Sequence, residues 1–257
     1  MHDLVADLVA EQEALDRVVE RLSDEQWDTP SPAEGWTLRD CVVHLAEIDE
    51  RAAFVARERR LPDRSGEAGD GVLTAGQLRA RGVAPADLLR RWRDARAELA
   101  TALLSLDPRE RLPWAGPPMG ARSFATARLV ESWSHGLDIL DAAGVEARDS
   151  DRLRHVAHMG YVTRDFAYRN RDLEPPATTL YVDLTAPSGE TWTWGPPDAA
   201  NRIIGSAGDF CRLVTQRIHR SDTALQTEGE DAAVYVQIAQ VFAGPPGPGR
   251  PPKGEGN

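Results

Sequence analysis

Apolar residues recur at helical spacing over residues 3–22, where Leu4, Val5, Leu8, Val9, Leu15, Val18 and Leu22 form one stripe, and this period predicts a first helix. The Pro-, Ser- and Gly-rich stretch SDEQWDTPSPAEGW then reads as a loop. Thr37-Leu38-Arg39-Asp40 has the form of a capping box, in which hydroxyl and carboxylate each satisfy the other residue's backbone N–H. It opens a second helix running to about Arg60, with Leu38, Cys41, Leu45, Ile48 and Ala52 on the apolar side and His44 at its flank. Residues 61–82 are Gly-rich and charged and read as a long connection with a short helical piece. A third helix over Pro85–Leu106 presents Leu88, Leu89, Trp92, Leu99, Leu103 and Leu106. LPWAGPPMGARS reads as a further loop. A fourth helix follows over Ser123–Gly144, with Ser123 as N-cap, Gly144 as left-handed stop and Leu129, Trp133, Leu137 and Leu140 on its packing side.

Beyond Gly144 the period changes. Residues 150–170 predict one more helix, after which Leu180–Leu184 alternates at period two. The turn Pro187-Ser188-Gly189 and the run Glu190–Trp194 complete a hairpin. Ser206-x-x-Asp209 opens a helix to about His219, Thr223–Thr227 reads as a further strand, and Asp231–Phe242 as a last helix. The expected fold class is therefore α+β. A four-helix bundle of the non-meander kind covers 1–147, a small α+β domain covers 148–244, and a disordered Pro/Gly-rich tail covers 245–257.

Composition narrows the function classes. No apolar run approaches the roughly 18 residues of a membrane-spanning helix. A net charge of -11 argues against nucleic acid or an anionic membrane as partner. The opening MHDLVADLVAEQ carries acids rather than a basic leader, and Cys41 and Cys211 make no framework, so a cytoplasmic location is expected. Lys253, in the tail, is the single lysine among 30 basic residues, which removes Schiff-base chemistry from the folded part.

Glu131 and His135 stand four residues apart on the fourth helix and so share a face, a spacing that lets a carboxylate and an imidazole reach one ion. His44 is the best third donor in the helical half, provided that the second and fourth helices are neighbours. The competing reading of the pair is a solvated face with a weak i,i+4 contact.

The segment PSPAEGWTLRDCVVHLAEID resembles the "PGWTVRDLVAHL" signature of the DinB-like, mycothiol-dependent maleylpyruvate isomerase superfamily. ARLVESWSHGLDILDAAG resembles its second signature, E-x-x-x-H-G-x-D. RHVAHMG, LTAPSGETWTWGP and the Gly/Pro-rich end are similar to an actinobacterial metal-binding branch, so the resemblance spans nearly the whole chain. It implies a DinB-like bundle followed by a sterol-carrier-like α+β domain, with His44, Glu131 and His135 as metal ligands. The implied ion is divalent: zinc first, then nickel, manganese or iron(II). The implied chemistry is that of a cytoplasmic enzyme using a low-molecular-weight thiol, mycothiol, as transferase or isomerase on a small electrophilic carboxylate or enone. An arginine of the second domain would fix the carboxylate, carried onto Arg217 with Arg220 as alternative.

Among the remaining residues, Glu47, one turn after His44, is the candidate general base, against the plainer reading of a surface acid. Asp138 shares the ligand face and is placed to orient a ligand. Cys41 reads as core, His155 and His158 as surface or interface residues, Trp36 and Trp133 as packing around the site, and Trp192 and Trp194 as pocket or core. Two rival functions stand beside the first: a thiol-independent metal enzyme of hydrolysis, elimination or cyclisation, and a non-catalytic metal-stabilised module that holds an apolar ligand. Oligomeric state has no sequence signal.

Overall fold

The computed structural model describes residues 1–63, 69, 72–114 and 116–254, and the chain divides into two compact units, Met1–Ala147 and Arg148–Asn257.

The first unit is built on four long helices: α1 (His2–Val19), α2 (Leu38–Glu58), α4 (Pro85–Leu104) and α5 (Ala121–Ala142), with a short α3 (Ala75–Ala80) in the connection before α4. Both α1 and α2 pack against α4 and α5, which places α1 and α2 across the bundle from each other. Leu15 and Val19 of α1, Cys41 and Leu45 of α2, Leu89 and Trp92 of α4 and Ile139 of α5 belong to one buried cluster. Each such side chain contributes about 1.5–3 kcal/mol on leaving water.

The start of α2 follows its sequence signal. The Thr37 hydroxyl accepts from Asp40 N (3.3 Å), and Asp40 Oδ2 accepts from Thr37 N (2.9 Å). Helix α5 begins three residues earlier than expected, with Gly120 rather than Ser123 as N-cap. It stops where expected. Gly144 takes φ +67°, Val145 N donates to Leu140 O (2.9 Å) and Gly144 N to Asp141 O (3.1 Å), the paired bonds of a Schellman stop. The stretch read as the loop LPWAGPPMGARS is instead partly a hairpin, β1 (Arg111–Trp114) against β2 (Gly116–Gly120), with an irregular register between Leu112 and Trp114. Prolines hid it, because a residue without an N–H is a poor strand signal unless the ladder skips it.

In the second unit, α6 (Leu153–Val162) and α7 (Arg164–Arg169) replace the single helix expected over 150–170. The break falls at Thr163, whose hydroxyl donates back to Met159 O (2.7 Å) and competes with the helical ladder. Strands β3 (Leu180–Thr185) and β4 (Thr191–Trp194) form the expected hairpin. An unexpected strand, β5 (Asn201–Ser206), pairs parallel to β3 on its other side, so residues 195–200 carry the chain across the end of β3. Helix α8 (Ala207–Val214), β6 (Gln226–Glu228) and α9 (Glu230–Ile238) follow, giving the sheet order β4-β3-β5-β6. Gly160 lets α6 close on α8, since a Cβ there would stand 2.8 Å from the Phe210 ring and 3.1 Å from both Val214 methyls. Trp192 is buried in this unit and Trp194 half-buried.

Helix α8 ends five residues before the expected His219. Gln216 takes the left-handed conformation at φ +61°, and Arg217 N donates to Arg212 O (2.7 Å), which closes the helix. The tail expected to be disordered over 245–257 has no regular structure through Gly254, and 255–257 lie outside the described residues. Its backbone is nevertheless held. Arg171 donates to Gly247 O (3.2 Å), and Lys253 N donates to Asp222 Oδ2 (2.8 Å). Among the described residues no helix is long and apolar enough to cross a membrane.

Candidate metal centre

Packing of α2 on α5 brings His44 to the Glu131/His135 face. Glu131 Oε2 lies 3.5 Å from His44 Nε2 and 3.6 Å from His135 Nε2. One ligand atom from each of the three residues falls within 4.8 Å of the other two. A tetrahedral ion with ligands at roughly 2.1 Å has ligand–ligand edges of about 3.4 Å, so the two observed His–Glu separations suit such an ion with little movement. The donor set fits a divalent metal: two imidazoles and one carboxylate, all half-buried and leaving a position open.

The surroundings hold the donors in place. Asp138, almost fully buried, sets Oδ2 3.3 Å from His135 Nδ1, so the two ring nitrogens of His135 face different carboxylates. A carboxylate behind a ligating imidazole fixes its tautomer and orientation. Trp36 stacks on the His135 ring (centroids 5.6 Å, planes 16° apart) and tilts against His44 (5.1 Å), and its indole N–H donates to Val72 O (3.1 Å). The packing role expected of Trp36 is thus specific: it walls both imidazoles. Burial pushes the Glu131 carboxyl up, but the His44 hydrogen bond and then the Arg128 guanidinium outweigh it and hold the group well below the usual carboxylate range. Glu131 is therefore a carboxylate, ready as a ligand.

The Glu47 carboxylate reaches α3. Its Oε2 accepts from the Thr74 hydroxyl (2.9 Å) at the start of α3, and a Cβ on Gly76 would stand 1.4 Å from its Oε1. The carboxylate anchors α3 to α2 through a glycine that leaves room for it. Arg217 lies not on α8, as expected, but in the turn after it, donating to Thr215 O (2.7 Å). Arg220, the alternative, is tied to its own turn through Thr223 Oγ1 (2.9 Å) and Leu225 O (2.8 Å). His155 is half-buried and His158 exposed on α6, and Cys41 is core.

Two buried charges near the centre were not expected from the sequence. Asp49, 1% exposed, accepts from Gln12 Nε2 at 2.9 Å, while Gln12 Nε2 also reaches Ser132 Oγ at 3.3 Å. The apolar stripe of α2 had been read through Ile48, but Ile48 is half-buried and Asp49 takes the core position. Gln12 is the reason, since it supplies the partner without which a core carboxyl would be too costly. Arg128, 2% exposed, stacks on Trp114 (4.5 Å) and Phe124 (5.7 Å), and its Nε and Nη1 have no hydrogen-bond partner among the described residues. Leaving a buried donor unpaired costs about 1–3 kcal/mol. The signal for Arg128 was its place one turn before Glu131 on the ligand face.

Fold and site together define an α+β protein whose helical bundle presents an open His/Glu/His donor set, followed in the chain by a small mixed-sheet unit. Residues 8–140 match the family model for the mycothiol maleylpyruvate isomerase N-terminal domain, and the chain belongs to that family. A second model, described as wyosine base formation, matches the short segment 176–226. Two relatives from Mycobacterium tuberculosis, "Uncharacterized protein MT0041" of strain CDC 1551 / Oshkosh and "Uncharacterized protein Rv0036c" of strain ATCC 25618 / H37Rv, are each 46% identical, over 96% of this chain and 97% of their own. Two crystal structures of the mycothiol-dependent maleylpyruvate isomerase, one a histidine-to-alanine mutant, share the fold at TM-scores of 0.59 and 0.58. Identity is 15% and 16%, over 88% of this chain and 92% of theirs.

Proposed function

We propose that the protein is a cytoplasmic metal-dependent enzyme that uses a low-molecular-weight thiol, mycothiol, to transfer or isomerise a small electrophilic carboxylate or enone. The observation that carries this reading is the convergence of His44, Glu131 and His135 ligand atoms within 4.8 Å in a chain of the mycothiol maleylpyruvate isomerase family. A bound divalent ion, zinc before nickel, manganese or iron(II), supplies the Lewis acidity that acidifies a thiol or polarises a carbonyl. The chain's own residues prepare for it. His44, Glu131 and His135 would hold the ion, Asp138 would orient His135, and Trp36 packs against both rings. Arg217 of the second unit is the proposed anchor for a substrate carboxylate, with Arg220 as alternative.

The test is metal analysis of the purified chain with thermal shift in the presence of mycothiol, glutathione and acyl ligands. The expected result is one divalent ion per chain and a stabilisation by thiol that requires the metal. His135→Ala should fold and lose the ion. Stoichiometric metal retained in that variant refutes the ligand assignment. Metal-only stabilisation would shift the assignment to a thiol-independent metal enzyme, and a response to acyl ligands alone to a binding module.

A further inference from the structure

Residues 128, 131 and 135 lie at i, i+3 and i+7 on α5, so Arg128 shares the face that carries two of the three proposed ligands. The residue is 2% exposed, its guanidinium lies over the faces of Trp114 and Phe124, and among the described residues Nε and Nη1 have no hydrogen-bond partner. A structural arginine in a helical bundle is ordinarily bonded to a carboxylate or to helix carbonyls. Here stacking fixes the plane of the guanidinium, Glu131 and Asp49 act on its charge, and Nε and Nη1 have no hydrogen-bond partner among the described residues. The charges point the same way. A divalent ion on a single carboxylate would leave the donor set net positive, and the buried Arg128 adds to that charge. A ligand carboxylate would offset that charge.

We infer that Arg128 is a binding residue for a carboxylate group of the ligand, distinct from any arginine of the second unit, and places that ligand's reacting end toward the donor set. The inference deepens the function proposed above and rests on it for what the ligand does next, but not for the binding of the carboxylate itself. A planar guanidinium recognises a carboxylate through paired N–H donors, and a lysine at the same place offers a point charge instead.

The test titrates the full-length, zinc-loaded chain with succinate, a carboxylate without a thiol, and with 2-mercaptoethanol, a thiol without a carboxylate, by calorimetry. Arg128→Lys should keep one zinc per chain and its 2-mercaptoethanol affinity, and lose succinate affinity by about tenfold or more. Arg128→Gln should lose more, and if it does not fold, Arg128→Lys decides. Arg91→Gln on the exposed Arg91–Glu50 pair serves as the control and should leave succinate binding unchanged. Absence of succinate binding in the parent, succinate affinity in Arg128→Lys equal to the parent's, or loss of zinc from Arg128→Lys would each overturn the inference. Repeating the succinate series after chelation separates the two readings: a chain that takes no zinc yet still shows the Arg128 dependence sinks the metal assignment and leaves Arg128 standing.

Discussion

Asp49→Asn, studied in the chelator-treated protein, tests the reading of the bundle interior most directly. Burial pushes the Asp49 carboxyl from its ordinary 3.8 up to about 7; Arg128 opposes the rise, Glu131 adds to it, and Arg96 opposes it more weakly. The sign follows from proton counting. Between about pH 4 and pH 7 the folded chain keeps a proton that the unfolded chain has already released, so stability falls as pH rises through that window and levels off above it. A rise from 3.8 to about 7 corresponds to about 4 kcal/mol of stability lost across the window. The asparagine variant keeps an oxygen for Gln12 and carries no proton to lose, so its stability lacks this component. Urea unfolding followed by tryptophan fluorescence, for parent and variant at half-unit steps from pH 4 to 8, gives the difference directly. The variant should gain on the parent steadily with pH and then run parallel to it. A difference that does not change with pH would refute the reasoning and mean that water or a rearranged cation reaches Asp49.

The other expectations are simpler. Asp138→Asn should weaken zinc affinity about 10- to 100-fold in a chelator competition while leaving the far-ultraviolet circular dichroism unchanged, because it removes the charge behind His135. Glu47→Gln should keep most of the turnover if Glu47 is the anchor of α3 described above, whereas a general base would lose at least about 100-fold. Gly76→Ala should lower the melting temperature by displacing that same carboxylate, and Glu47→Ala in the same chain should recover part of it. Gly144→Ala, at φ +67°, should cost about 1 kcal/mol in urea unfolding and leave zinc binding intact.

Legibility in the sequence followed the range of the forces involved. The helix period, the Thr37–Asp40 capping box and the Gly144 stop depend on neighbours within a few residues, and all three are found where the chain announces them. The hairpin β1/β2, the strand β5 and the early end of α8 were obscured. Prolines mask a short ladder, β5 sets its two isoleucines side by side among polar residues and so shows no period-two alternation, and a glutamine in the left-handed conformation carries no mark of its own. Glu131 and His135 could be paired from their spacing alone, since four residues on a helix fix their relation.

What the chain determined by itself, then, is that the long helices exist, where α2 begins and α5 stops, and which residues share one helix face, because these are local consequences of backbone geometry and capping. Tertiary structure alone decided three things: that His44 comes to 3.5 Å from Glu131, that Glu47 turns to Thr74, and that Asp49 and Arg128 are enclosed beside the donor set. Each depends on which helices pack together and at what register. That choice is made by the sum of many weak apolar contacts over the bundle, and no single residue spells it out.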